Sequence, residues 1–160
     1  GDAVVRVDVR TLVEHEPADM ARGLLPRMHR ALAERGAVVV ASSEEPTERL
    51  TSLGRAEAAG LPAREFGLRI ERVLAELARR AHVDWGVRHF ICAGGETSGA
   101  IAQALGLQAL EMVRELAPGV PLCRALPGRN VAIALKGGNF GGDGFLADAA
   151  QLARRVPLDA

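Results

Sequence analysis

Val87-Arg88-His89-Phe90-Ile91-Cys92-Ala93-Gly94-Gly95-Glu96-Thr97-Ser98-Gly99 is the stretch that decides the fold. Residues 87–93 read as a strand, and the glycine-rich turn at 94–99 leads into a helix over about 98–106. A strand that turns straight into a helix is the building unit of a layered α/β domain. Ligands in such domains bind beyond the carboxyl ends of strands, on the strand-to-helix loops.

Outward toward the C-terminus, residues 108–114 read as a strand. Residues 117–130 hold three Pro and two Gly and are expected to form a loop. Val131-Ala-Ile-Ala-Leu135 is a short buried strand. A glycine-rich segment, 136–144, then precedes a helix over roughly 145–155.

Outward toward the N-terminus, residues 63–81 form the clearest helix, with Phe66, Ile70, Val73, Leu74 and Leu77 on one stripe. Residues 42–62, rich in Ser, Glu, Pro, Thr and Gly, read as a surface loop with at most a helical turn. Ala37-Val-Val-Val-Ala41 suits a central parallel strand buried on both faces. Residues 17–35 read as a helix with Pro17 in its first turn and Gly36 as its stop, while Pro26 either kinks it or marks its true start. Residues 3–9 are a strand by β-branched content.

This alternation predicts the fold class. It is an α/β layered domain with a mostly parallel β-sheet flanked by helices and with glycine-rich strand-to-helix loops, a single domain over residues 1–160.

Composition bounds the function. The 160 residues are 48% hydrophobic and 25% charged, an ordinary globular balance. Twenty basic and twenty acidic side chains cancel, so no broad field for nucleic acid or an anionic membrane is expected. No apolar run is long enough to span a membrane. Two cysteines, Cys92 and Cys123, lie far apart without a CxxC pair. A disulfide framework or zinc site is not expected, and a reducing cytoplasm is the default compartment. No signal or transit segment is visible, and without an initial Met the chain is expected to be trimmed or excised from a longer one.

Two glycine-rich corners carry the chemistry. In the first, glycines at 94, 95 and 99 let the backbone turn sharply and approach a ligand closely. Thr97 or Ser98 is placed to cap the helix, and the first helical N–H groups offer a seat for a phosphate oxygen. The same pattern also describes a plain capped turn. The second corner, Lys136-Gly137-Gly138-Asn139-Phe140-Gly141-Gly142-Asp143-Gly144, holds five glycines and the only lysine of the chain. So much glycine is costly to order, and Lys136 supplies a compact charge for a phosphate. Neither corner is a Walker A or GxGxxG motif, so residue chemistry alone leads to an unassigned phosphate or nucleotide site.

The segments Gly94-Gly95-Glu96-Thr97-Ser98-Gly99, Gly119-Val120-Pro121, and Ala134-Leu135-Lys136 with Gly138-Asn139-Phe140-Gly141-Gly142 together resemble the C-terminal nucleotide-binding domain of the four-carbon acid sugar kinases. That family includes threonate, erythronate and 3-oxo-tetronate kinases. The resemblance covers roughly residues 3–150 with the motifs in family order. It implies an ATP-dependent kinase moving the γ-phosphate of ATP, with Mg²⁺, onto a hydroxyl of a tetronate-type sugar acid.

The resemblance also implies a separate N-terminal sugar-acid-binding domain with a DDxTG-like motif, which this sequence lacks. The chain alone is therefore expected to bind nucleotide without being catalytically complete. Carried over, Gly95, Glu96, Thr97, Ser98 and Gly99 match the ATP-contacting turn, and Gly141 the second contact region. Lys136, Gly138 and Asn139 match the neighbouring motif. Position 137 is Gly where relatives often carry Ser, leaving only backbone donors there.

No catalytic base is visible. Glu96 or Asp143 is placed to hold a metal-bound water, and Glu96 equally to favour the helix N-terminus. No protein metal site is expected from His15, His29, His82 and His89, which are scattered. Cys92 reads as a small core residue. Phe140 either anchors its loop or lies against a base. The oligomeric state is left open, a homo-oligomer included. The rival function is a non-catalytic phospholigand-binding or partner-docking module.

Overall fold

The computed structural model describes residues 4–42, 46–128, 130–137, 142 and 144–158, without the side chains of 46–49. The chain is a mixed α/β protein with helices flanking partly parallel sheets. It divides into two compact units, Gly1–Leu77 and Ala78–Ala160.

In the first unit, β1 (Val4–Arg6) and β2 (Val39–Ala41) pair in parallel, Val4 opposite Val39. Val5, Val7, Val9 and Leu12 are buried along β1 and the 3₁₀ turn (Val9–Val13) that follows it. The turn is capped by Asp8, whose carboxylate accepts from the Arg10 backbone N–H at 3.2 Å and from Arg10 Nε at 2.8 Å. The hydrogen bond from the Arg10 side chain holds the Asp8 carboxyl below the usual range.

α1 (Pro17–Arg35) runs through Pro26 without ending, begins with Pro17 at its first position and stops at Gly36 with φ 67°. The 37–41 run is not buried on both faces as expected: Val39 is 38% exposed, and β2 is one strand of a two-stranded sheet among the described residues. The expected loop at 42–62 is instead largely helical, α2 (Pro46–Ala58). Its proline stands at the helix start, where a missing N–H costs nothing. α3 (Ala63–Trp85) carries the expected stripe, with Phe66, Val73 and Leu77 buried.

The second unit holds a four-stranded sheet in the order β3 (His89–Ala93), β6 (Ala132–Lys136), β5 (Val120–Leu126), β4 (Ala109–Ala117). β3 and β6 are parallel, whereas β6–β5 and β5–β4 are antiparallel. The expected loop at 117–130 therefore contains β5, joined to β4 by a turn at Gly119 with φ 75°.

Side chains alternate across this sheet, as its pleat requires. Cys92, Cys123, Ala125, Val131 and Ile133 join Ile101 of α4 (Gly95–Ala104) and Leu105, the residue that caps its end, in one core. Leu122, Ala132 and Ala134 point the other way, onto Ala153 of α5 (Phe145–Ala153) and Val156. Ile133 is fully buried, and truncating such a side chain costs about 2–5 kcal/mol. No helix among the described residues is long and apolar enough to cross a membrane.

Candidate functional site

The parallel register of β3 and β6 places their carboxyl ends side by side. Ala93 is opposite Lys136, and the next N–H, that of Gly94, donates to the Lys136 carbonyl at 2.9 Å. The two glycine-rich corners thus leave the sheet from adjacent strand tips.

The first corner turns at once. Gly94 has φ 106° and ψ 129°, and α4 begins at Gly95, earlier than the expected start near 98. Gly94 itself is the N-cap, and no side chain caps the helix. The capping role expected of Thr97 or Ser98 is corrected accordingly: both lie inside the first turn. The Ser98 hydroxyl, buried, donates back to the Gly94 carbonyl at 2.6 Å, and the Ser98 N–H reaches the same oxygen at 2.9 Å. That is the first helical bond. The N–H groups of Gly95, Glu96 and Thr97 precede it and have no intrahelical acceptor. They carry the positive end of the helix dipole, which favours an anion.

An open cleft of about 310 Å³ lies against this corner, lined by Gly95, Ser98, Gly99, Ala102, Leu135, Lys136 and Gly137. Where a Cβ would stand at Gly95 or Gly99 there is nothing within 4 Å, so both glycines leave room along the cleft wall. Lys136 Nζ donates to the Gly137 carbonyl at 3.2 Å.

Of the residues expected to bind a cofactor, the structure therefore brings Gly95, Ser98, Gly99 and Lys136 together. Glu96 is exposed and does not line the cleft. Thr97 does not line it either; its Oγ1 lies 3.4 Å from where a Gly94 Cβ would stand. Gly138, Asn139 and Gly141 lie outside the described residues, as do Phe140 and Asp143. Ala102 and Leu135 were not expected from the sequence.

The chemistry of the surroundings is quiet. Burial pushes the Cys92 thiol up to about 12, which keeps it protonated. Among the described residues no group of three or more His, Cys, Asp or Glu side chains is placed to hold a metal ion. The described lining offers backbone donors, the Ser98 hydroxyl, one ammonium group and bare glycine positions, a set chemically able to hold an anionic group.

The nucleotide-binding C-terminal domain family model matches residues 2–146. A 3-oxo-tetronate kinase from Pseudomonas fluorescens is 40% identical over 74% of this chain and 26% of its own. A 3-oxo-isoapionate kinase from Paraburkholderia graminis is 34% identical over 85% of this chain and 30% of its own. The crystal structure of a Haemophilus influenzae protein of the DUF1537 family superposes with a TM-score of 0.80 at 28% identity, over 93% of this chain and 34% of that one. The chain thus spans about a quarter to a third of the proteins it matches. It belongs to the nucleotide-binding C-terminal domain family of the four-carbon acid sugar kinases.

Proposed function

We propose that this chain is the ATP-holding part of a sugar-acid kinase whose remaining part binds the acid. In this reading the enzyme transfers the γ-phosphoryl group of ATP to a hydroxyl of a tetronate-type acid. The observation that carries the reading is the bond from the Gly94 N–H to the Lys136 carbonyl, 2.9 Å, which sets the first corner and the start of the second, Lys136 and Gly137, beside one cleft.

The residues fit a polyphosphate. The α4 N-terminus supplies N–H donors, Lys136 supplies a point charge, and the bare Gly95 and Gly99 positions allow close approach. Phosphoryl transfer asks the protein chiefly to position groups and neutralise charge. Mg²⁺ would accompany the phosphates and neutralise their charge. Relatives of similar likeness are named for different acids, 3-oxo-tetronate and 3-oxo-isoapionate. That supports an acid-recognition site outside this chain. The cytosol, where ATP is available and thiols stay reduced, is the compartment that fits.

Calorimetry of this chain with Mg-ATP tests the reading. Binding is expected, with Lys136→Ala weaker by about 10–100-fold, the worth of one charge-assisted hydrogen bond. Absence of heat, or equal affinity after Lys136→Ala and Gly95→Val, would refute it. Adding the acid-binding part of such a kinase should yield ADP. Retained nucleotide binding without transfer would instead favour a non-catalytic binding module.

A further inference from the structure

The cleft differs chemically along α4. The end at the helix start holds the α4 N–H groups, Gly95 and Lys136. The end farther along the helix is marked by Ala102, and Ala102 and Leu135, the neighbour of Lys136 on β6, both rest on the apolar core around Cys92, Ile101 and Ile133. Gly95, Gly99 and Ala102 follow one another at i, i+4 and i+7, so they share one face of α4. At about 1.5 Å per residue they extend roughly 10 Å along its axis.

A phosphate chain has use only for the first end, because the field of the helix terminus fades within its first turn. Among the described lining residues the second end adds no charge: the Ala102 methyl group, with the Leu135 side chain, presents an apolar lining left open to solvent. A hydroxyl-rich acid would gain nothing by lying on such a wall, whereas a flat base would remove apolar surface from water.

We propose that the nucleoside end of the ligand lies along α4 against Ala102 and Leu135, which makes Ala102 the residue that sets the room for the base. This rests on the nucleotide reading given above.

Methyl and amide NMR of the unmodified chain tests it, with Mg-ADP and Mg-tripolyphosphate as probes. The Gly95 and Gly99 amides should move with both ligands, and the Leu135 methyl groups with ADP alone. In an Ala102→Leu chain that melts as the wild type does, ADP affinity should fall tenfold or more while tripolyphosphate affinity stays within about twofold. Leu135 methyls that stay still under ADP, or move equally under both probes, overturn the inference and leave the nucleotide reading standing. Gly95 and Gly99 amides that respond to neither probe overturn the nucleotide reading itself.

Discussion

Gly94→Ala probes the strand-to-helix corner most directly. Gly94 combines φ 106° with ψ 129°, a conformation that an L side chain occupies only under strain. Such strain costs about 1–3 kcal/mol. Packing adds little, because the new Cβ would meet Thr97 Oγ1 at 3.4 Å and Thr97 Cβ at 3.6 Å, at or just beyond ordinary contact. Alanine also restricts the unfolded chain, which returns about 0.4–1 kcal/mol. The balance is a destabilisation of about 1–2 kcal/mol. For a chain of this size that lowers the melting temperature by roughly 2–8 °C, readable by circular dichroism.

The control sits one residue on. Gly95 is helical, and a Cβ there would meet nothing within 4 Å. Gly95→Ala should therefore match or exceed wild-type stability while placing a methyl group beside the cleft, so it should weaken nucleotide binding without weakening the fold. Gly94→Ala melting at the wild-type temperature, or both variants shifting equally, would show that the corner does not depend on the Gly94 backbone.

Two further predictions concern titration. Burial holds the His89 imidazole below its ordinary 6.5, with the charges of Arg88 and Arg154 adding to the effect, and its Nε2 has no hydrogen-bond partner among the described residues. The folded state thus resists a proton that the unfolded state accepts at about 6.5. The resulting stability is complete above that pH and is lost as pH falls through 6.5 toward the lowered folded value. Urea midpoints between pH 7.5 and 5.5 should drop less in His89→Leu than in wild type, and an identical drop would refute the assignment. Cys92, with its thiol near 12, has a thiolate fraction of about one in ten thousand at pH 8. It should resist a disulfide reagent until the chain unfolds, and rapid labelling of Cys92 in the native protein would contradict its burial.

Much of this architecture is legible in the residues because burial writes a period into them. The α3 stripe and the apolar runs of β3 and β6 are visible since each faces a core on at least one side. The first glycine corner is legible for a different reason, as its glycines mark where the backbone, at Gly94, does something a side chain would resist.

β5 was hidden by Pro121 and by the Pro-Gly pairs that flank it. Pro121 is tolerated because pairing with β6 begins only at Leu122, and on the β4 side it stands opposite Glu115, beside a register shift. α2 was hidden by its Ser, Thr and Gly content and by a proline that belongs to its first position rather than to a loop. The helix cap was misread because Ser and Thr are the usual caps. Here the unusual φ of Gly94 starts the helix before either residue is reached. The apolar end of the cleft could not be read locally, since Ala102 and Leu135 meet only when α4 folds back over β6.

β4 forms one margin of the second unit's sheet and is exposed from Ala109 through Glu115, with Leu110, Met112 and Val113 among its open side chains. A straight margin of that kind would template the growth of fibrils by recruiting further strands. Here the ladder with β5 slips between Met112 and Arg114 and again between Glu115 and Ala117, while Glu111, Arg114 and Glu115 set charge among the apolar groups. An incoming strand would lose step before gaining a continuous run of bonds. An irregular margin of this kind is a poor template for a further strand.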